Sequence, residues 1–264
     1  MMLLKIGGGA AINLEAIASD IANLEEPTVI VHGANALRDQ LANELGKEIQ
    51  TVTSLSGFTS VLSDENTIDL MMMSYAGLRN KRLVELLQQK GVNAIGLSGV
   101  DGGLIRARRN RGIKTKKDGR KMLLRDLSGK PFEVNAHLLN LLIEGGYTPV
   151  ITVPVIDEEG HAVNTENDEI IALLQSVIQA DRVVQLIEAP GLLRDISDPE
   201  SLVNVLSHEV LEDWENEVEG RMRRKIHALR KLFAKSSPAV HIGDGRIENP
   251  ITNLTLNREG TLIS

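Results

Sequence analysis

Short apolar runs bounded by turn residues alternate with helix-length amphipathic stretches along almost the whole of the 264-residue chain. No other feature restricts the fold as strongly. The apolar runs fall at residues 3–6, 28–31, 94–97, 150–153, 182–186 and 239–242. Most are continuously apolar, which is how strands read when helices cover both faces of a parallel sheet. Helical periodicity predicts helices over 14–24, 36–45, 67–89, 135–144, 166–178 and 220–233. Strand and helix in this order give the βαβ pattern, and the expected fold is a three-layer α/β/α sandwich around a mainly parallel central sheet.

Local signals agree with these boundaries. The stretch NKRLVELLQQKG closes on Gly91, a glycine placed to cap a helix C-terminus. Asn164 and Thr165 precede a helix start carrying Glu166, Asp168 and Glu169, which suit the positive end of the helix dipole. The core must be aliphatic, because the chain has only three Phe, two Tyr and one Trp. Base stacking on exposed aromatics is therefore a poor basis for function. With no cysteine, disulfides, thiolate metal ligands and thiol catalysis are excluded. The opening MMLLKIGGG is neither a signal peptide nor a membrane span, so a cytoplasmic location without membrane attachment is expected. A net charge of −7 argues against bulk affinity for nucleic acid.

Charge is nevertheless unevenly spread. Residues 106–125 read RARRNRGIKTKKDGRKMLLR, with ten cations and one acid, Asp118. The Asp-Gly pair inside KKDGRK predicts a β-hairpin. The segment is either a solvated basic loop or a surface for an acidic partner.

Two turns follow the same plan of strand, glycine, helix: KIGGG at 5–9 and VHGAN at 31–35. Glycines there let backbone amides approach an anion, and the following helix N-terminus adds partial positive charge. Neither a G-x-x-x-x-G-K-[ST] nor a G-x-G-x-x-G after the first strand occurs, so a P-loop is excluded. His32, alone at a strand end, reads as structural.

The ordered set KIGGG, VHGAN, LVELLQQKGVNAIGLSGVDGG, NTEND, APGLL, GRMRRK and GDGRIENP resembles the acetylglutamate kinase branch of the amino acid kinases over essentially the whole chain. NKRLVELLQ, NAIGLSG, GRMRRK and ENP look closest to the kinases that phosphorylate aminoadipate or glutamate attached to a small acidic amino-group carrier protein. The resemblance implies ATP as phosphoryl donor with Mg²⁺, an N-terminal acceptor lobe over 1–178, a C-terminal nucleotide lobe over 179–264, and a homodimer. It also implies that the extra N-terminal helix of hexameric relatives is missing. No dedicated metal-ligand cluster is visible.

By resemblance, Lys5 and Lys225 flank the transferring phosphoryl group and Asp168 orients them. Such a trio suits a reaction in which the protein supplies positioning and charge neutralisation. Gly33, Ala34, Val61 and Asn164 match acceptor-binding positions, whereas Gly7, Gly8, Glu188, Gly191 and Met222 match nucleotide-binding ones. Arg106, Arg108, Arg109, Lys116 and Lys117 are expected to dock the carrier.

Three positions depart from the family pattern. Ala34 replaces a glycine, Ile187-Glu188 replaces a small polar residue followed by Asp or Asn, and Val61-Leu62-Ser63-Asp64 stands where relatives carry R-x-T-D. Valine cannot clamp a carboxylate. Two other readings therefore stand beside the carrier-dependent kinase: a kinase for free N-acetylglutamate, and a non-catalytic module that binds the carrier.

Overall fold

The computed structural model describes residues 1–53, 55, 59–117, 120–195, 197–218, 220–234, 237–256 and 259–264, without the side chains of Thr59, Lys117, Pro199, Arg221, Met222 and Arg224. The Asp118-Gly119 turn and the side chains of Met222 and Lys117 thus lie outside the described part.

Eight strands form the central sheet: β1 (Met2–Ile6), β2 (Thr28–His32), β3 (Ala94–Ser98), β4 (Thr148–Thr152), β5 (Arg182–Ile187), β6 (Val205–Leu206), β7 (Ala239–Asp244) and β8 (Thr261–Ile263). Their spatial order is β6-β8-β7-β5-β1-β2-β4-β3. The six strands expected from the apolar runs are all present and mutually parallel. β8 runs antiparallel to β7, and β6 follows β8. Both are too short to show a periodicity.

Alternation along the strands sorts side chains into two cores. Leu3, Val31, Val183 and Ile242 face one side, packed with Ile170 and Leu174 of helix Asn167–Ile178 and with Ile226 and Leu229 of helix Gly220–Phe233. Met2, Leu4, Ile30 and Val184 face the other, against Ile17 and Ile21 of helix Leu14–Ala22, Leu83 and Leu87 of helix Asn80–Gln89, and Ile251 and Leu254 of helix Pro250–Thr255. Two apolar faces, each covered by helices, make the three layers.

Helix Asn35–Glu44 follows β2 directly, and Ala136–Glu144 is capped by Asn135, whose side chain accepts from Leu138 N at 3.1 Å. Gly91 takes a φ of 83°, as its place after the helix end requires. The single helix expected over 67–89 is instead Glu65–Met71, a π-helix Met72–Arg79 and Asn80–Gln89. Periodicity reports an amphipathic face and is blind to one widened turn within it.

Smaller sheets stand beyond the C-terminal ends of the parallel strands. Ala162–Val163, Val155–Asp157, Ile105–Arg109 and Gly129–Val134 form one, and Thr51–Thr53 pairs with Thr59–Val61. The expected basic hairpin is present: Ile113–Lys117 pairs antiparallel with Arg120–Leu124, with Lys117 opposite Arg120. Among the described residues no helix is long and apolar enough to cross a membrane.

One buried acid ties the first helix to the last. Asp20, 1% exposed, accepts from the amides of Ile251 (2.7 Å) and Thr252 (2.9 Å) and from Thr252 Oγ1 (2.6 Å). It thereby caps helix Pro250–Thr255, whose own N-cap residue Asn249 makes no side-chain cap bond. Asp20→Ala strands those amides in the core, and we expect a loss of about 2–4 kcal/mol, read as a lower urea midpoint at unchanged m-value.

Candidate active site

Lys5 lies one residue from the C-terminal end of β1 and points to the same face as Leu3, towards the helices Asn167–Ile178 and Gly220–Phe233. Its Nζ donates to Asp168 Oδ1 at 2.5 Å. Asp168 occupies the first turn of helix Asn167–Ile178, where the dipole favours its charge. Lys225, on helix Gly220–Phe233, brings its Nζ to 4.0 Å from the same oxygen and donates to Gln185 Oε1 at 3.0 Å. Gln185 is the residue opposite Lys5 on β5, so strand register and helix packing fix the trio together.

Electrostatics follow from this crowding. Burial opposes the charge on Asp168, yet Lys5 and Lys225 outweigh it and hold the carboxyl down to about 2. Burial and the charge of Lys5 push Lys225 down to about 8 against the pull of Asp168. At neutral pH the cluster is two cations on one carboxylate, with excess positive charge in a partly desolvated site.

The glycine turns meet beside this cluster. A Cβ on Gly8 would sit 2.2 Å from Asn35 Oδ1 and 2.6 Å from Ala34 N, so the backbones of the two turns touch and only glycine fits. Gly33 N donates to Ile6 O at 2.9 Å, Ala36 N to Gly8 O at 3.0 Å, and Gly7 N to Leu186 O at 2.9 Å. Glu188, at the end of β5, accepts from Ala11 N at 2.6 Å and lies where a Cβ on Gly9 would fall. Gly7, Gly8, Gly33, Ala34 and Glu188 are thus gathered together. Gly191 is elsewhere accounted for by packing, since a Cβ there would stand 2.7 Å from both Leu202 Cδ1 and Thr261 Oγ1.

His32 is fully buried, its Nδ1 3.2 Å from Gly33 O and its Nε2 3.1 Å from Asn80 Nδ2. Burial pushes it down to about 4, leaving a neutral strut.

Val61 and Asn164 line one cavity of about 530 Å³, together with Lys114, Lys130, Ser128 and Glu166. Asn164 is not the N-cap of the following helix, a place taken by Glu166 without a side-chain bond. Its Nδ2 instead donates to Ser63 Oγ at 3.0 Å. Ser63 in turn donates its N–H to Asp126 Oδ1 at 2.8 Å. Lys114 and Lys130 bring positive charge to the cavity that lacks an arginine at Val61. Sequence reasoning missed both, although Lys114 lay in the basic segment already singled out. Gln185 was also missed; a lone amide within the apolar run RVVQLI was its signal.

The basic hairpin supplies Ile113 and Lys114 to this cavity. It is anchored by Leu55 N donating to Lys114 O at 2.9 Å and by Thr115 Oγ1 donating to Thr53 O at 2.9 Å. Arg106, Arg108 and Lys116 are exposed, with Arg108 lying over the Phe132 ring at 5.5 Å. Arg109 is half-buried, its Nη1 3.7 Å from the buried Asp157. It is therefore less free than its neighbours to meet a partner.

The profile of the amino acid kinase family matches residues 1–244. The chain belongs to the amino acid kinase family. Over 100% of both chains it is 41% identical to a [LysW]-aminoadipate kinase of Thermus thermophilus, and 33% identical to an acetylglutamate kinase of Methanopyrus kandleri. The N-acetylglutamate synthase structure from Neisseria gonorrhoeae, in complex with coenzyme A and N-acetyl-glutamate, superposes with a TM-score of 0.78 at 22% identity. That match covers all of this chain and 59% of the longer one, and shows the shared fold. The amino acid kinase fold thus confirms the α/β/α sandwich read from the alternating runs.

A lysine that titrates near 8 is the measurable mark of this cluster. With ¹³Cε-labelled lysine, one resonance should lose its proton as pH rises through about 8. Asp168→Asn removes the carboxylate that retains that proton, and should move the transition to still lower pH. Lysines that all titrate at about 10 or above would contradict the arrangement.

Proposed function

We propose that this chain transfers the γ-phosphoryl group of MgATP to the side-chain carboxylate of aminoadipate, or of glutamate, carried on a small acidic protein. A carboxylate oxygen attacks the γ-phosphorus, the bond to the β,γ-bridging oxygen breaks, and ADP leaves with the electron pair. The product is an acyl phosphate. Lys5 and Lys225 neutralise charge on the transferring group, and Asp168 keeps two mutually repelling cations within reach of it. The meeting glycine turns bring backbone amides close to the phosphates. Among the described residues no group of three His, Asp or Glu side chains converges as a metal site. Mg²⁺ enters with the nucleotide, held by phosphates and water.

The observation that carries the carrier-linked acceptor is the position of the basic hairpin. It walls the cavity that holds Val61 and Asn164. A free amino acid gives no reason to mass cations there, whereas an acidic protein does, and rim charges steer such a partner into place. The acceptor is held within residues 1–178 and the nucleotide largely by 179–264. Exposed Met72, Met73 and Leu78 supply an apolar surface for the pairing of two N-terminal lobes in a homodimer.

Steady-state assays with carrier-linked aminoadipate, carrier-linked glutamate and free N-acetylglutamate test this reading. The linked substrates should turn over and the free one poorly. Replacing Arg106, Arg108 and Lys116 together by Glu should raise KM for the linked substrate about ten-fold, with kcat and the ATP constant little changed. The KM difference should shrink as salt screens the charges. Equal or better use of free N-acetylglutamate by the native chain would overturn the carrier assignment.

A further inference from the structure

Arg79 plays no part in the site as described so far. Its Nε and Nη2 are buried and have no hydrogen-bond partner. A guanidinium does not give up its proton to relieve such burial. Donors left unsatisfied in this way carry the full desolvation penalty until an acceptor arrives.

Two further observations say where the acceptor comes from. Arg79 is the last residue of the π-helix Met72–Arg79. Widened turns of this kind cost hydrogen-bond geometry and recur where a helix must aim one side chain at a functional site. The groups nearest to Arg79 in this respect border the glycine turns. Glu188, which shapes the first turn by accepting from Ala11 N at 2.6 Å, attracts it. Asn80, the next residue after Arg79, holds its Nδ2 at 3.1 Å from Nε2 of His32, which lies beneath Gly33 in the second turn. The carboxylate of Glu188 is already engaged and does not bond the guanidinium.

We infer that Arg79 is a phosphate-binding residue, presented by the π-helical turn to the phosphoryl oxygens of the nucleotide held over the glycine turns. The inference rests on the kinase reading above and adds a third cation to the two lysines, approaching from the other face of the sheet. Its planar fork matches a phosphate edge better than an ammonium would. In the free protein the guanidinium is a burden, because its buried Nε and Nη2 donors have no partner, and replacing them by an apolar side chain forfeits no hydrogen bond.

That burden makes the test selective. Calorimetric titration of ATP and AMP into the native chain, Arg79→Met and Arg79→Lys is combined with thermal unfolding of each. ATP affinity should fall about ten- to hundred-fold in Arg79→Met, AMP affinity should hold, and Arg79→Lys should lie between. The Tm of free Arg79→Met should equal or exceed that of the native chain, while the ATP-induced rise in Tm shrinks. A folded Arg79→Met with native ATP affinity overturns the assignment, as does an equal loss for ATP and AMP. A lowered Tm in free Arg79→Met, with Arg79→Lys restoring Tm and not ATP affinity, assigns the residue to the fold and also overturns it. Absence of ATP binding by the native chain would instead remove the kinase reading, and this inference with it.

Discussion

Two lysines share one carboxylate, and the rest of the site depends on that compromise. Lys5 and Lys225 repel each other, and the Asp168 oxygen at 2.5 and 4.0 Å makes their approach tolerable. The compromise is incomplete, since Lys225 is pushed down to about 8 even with Asp168 in place. Excess positive charge held in a partly buried site is what a transferring phosphoryl group requires, because its equatorial oxygens are present to be neutralised and no reorganisation is needed. In the proposed reaction the nucleotide supplies the negative charge that balances the two lysines.

Each member of the cluster comes from a different element of the fold. Lys5 is set by the pleat of β1, Gln185 by the register between β1 and β5, Asp168 by the start of one helix and Lys225 by another packed against it. The two helices share the core of Ile170, Leu174, Ile226 and Leu229, and Lys231 of one pairs with Glu169 of the other. The geometry of the cluster is therefore a by-product of aliphatic packing, which explains how a chain nearly free of aromatic residues holds two lysines and an acid so closely. The crevice lies beyond the C-terminal ends of parallel strands, the usual place for ligands in an open α/β sheet.

Much of this was legible in the sequence, for identifiable reasons. Parallel strands buried on both faces must be continuously apolar, so six of them announced themselves. The glycine turns were visible because backbone contact tolerates no Cβ, as at Gly8. Lys5, Asp168 and Lys225 were placed only by the order of motifs, since a lysine after a strand and a basic helix have ordinary explanations. Long-range pairings were hidden. Nothing local shows that Asp20 caps a helix starting at Pro250, or that Asn164 serves Ser63 rather than its own helix. The π-helix was invisible because its face stays amphipathic while its turn widens, and with it went Arg79.

The most direct test of the central claim compares turnover with nucleotide affinity in Lys5→Ala and Lys225→Ala, using single-turnover transfer to the carrier-linked acceptor and trapping of the acyl phosphate with hydroxylamine. Charge that grows in the transition state predicts that each substitution lowers the transfer rate about 10²- to 10³-fold, while the dissociation constant for ATP changes far less. Near-native transfer in either variant, or a loss matched by an equal loss of ATP binding, would contradict it.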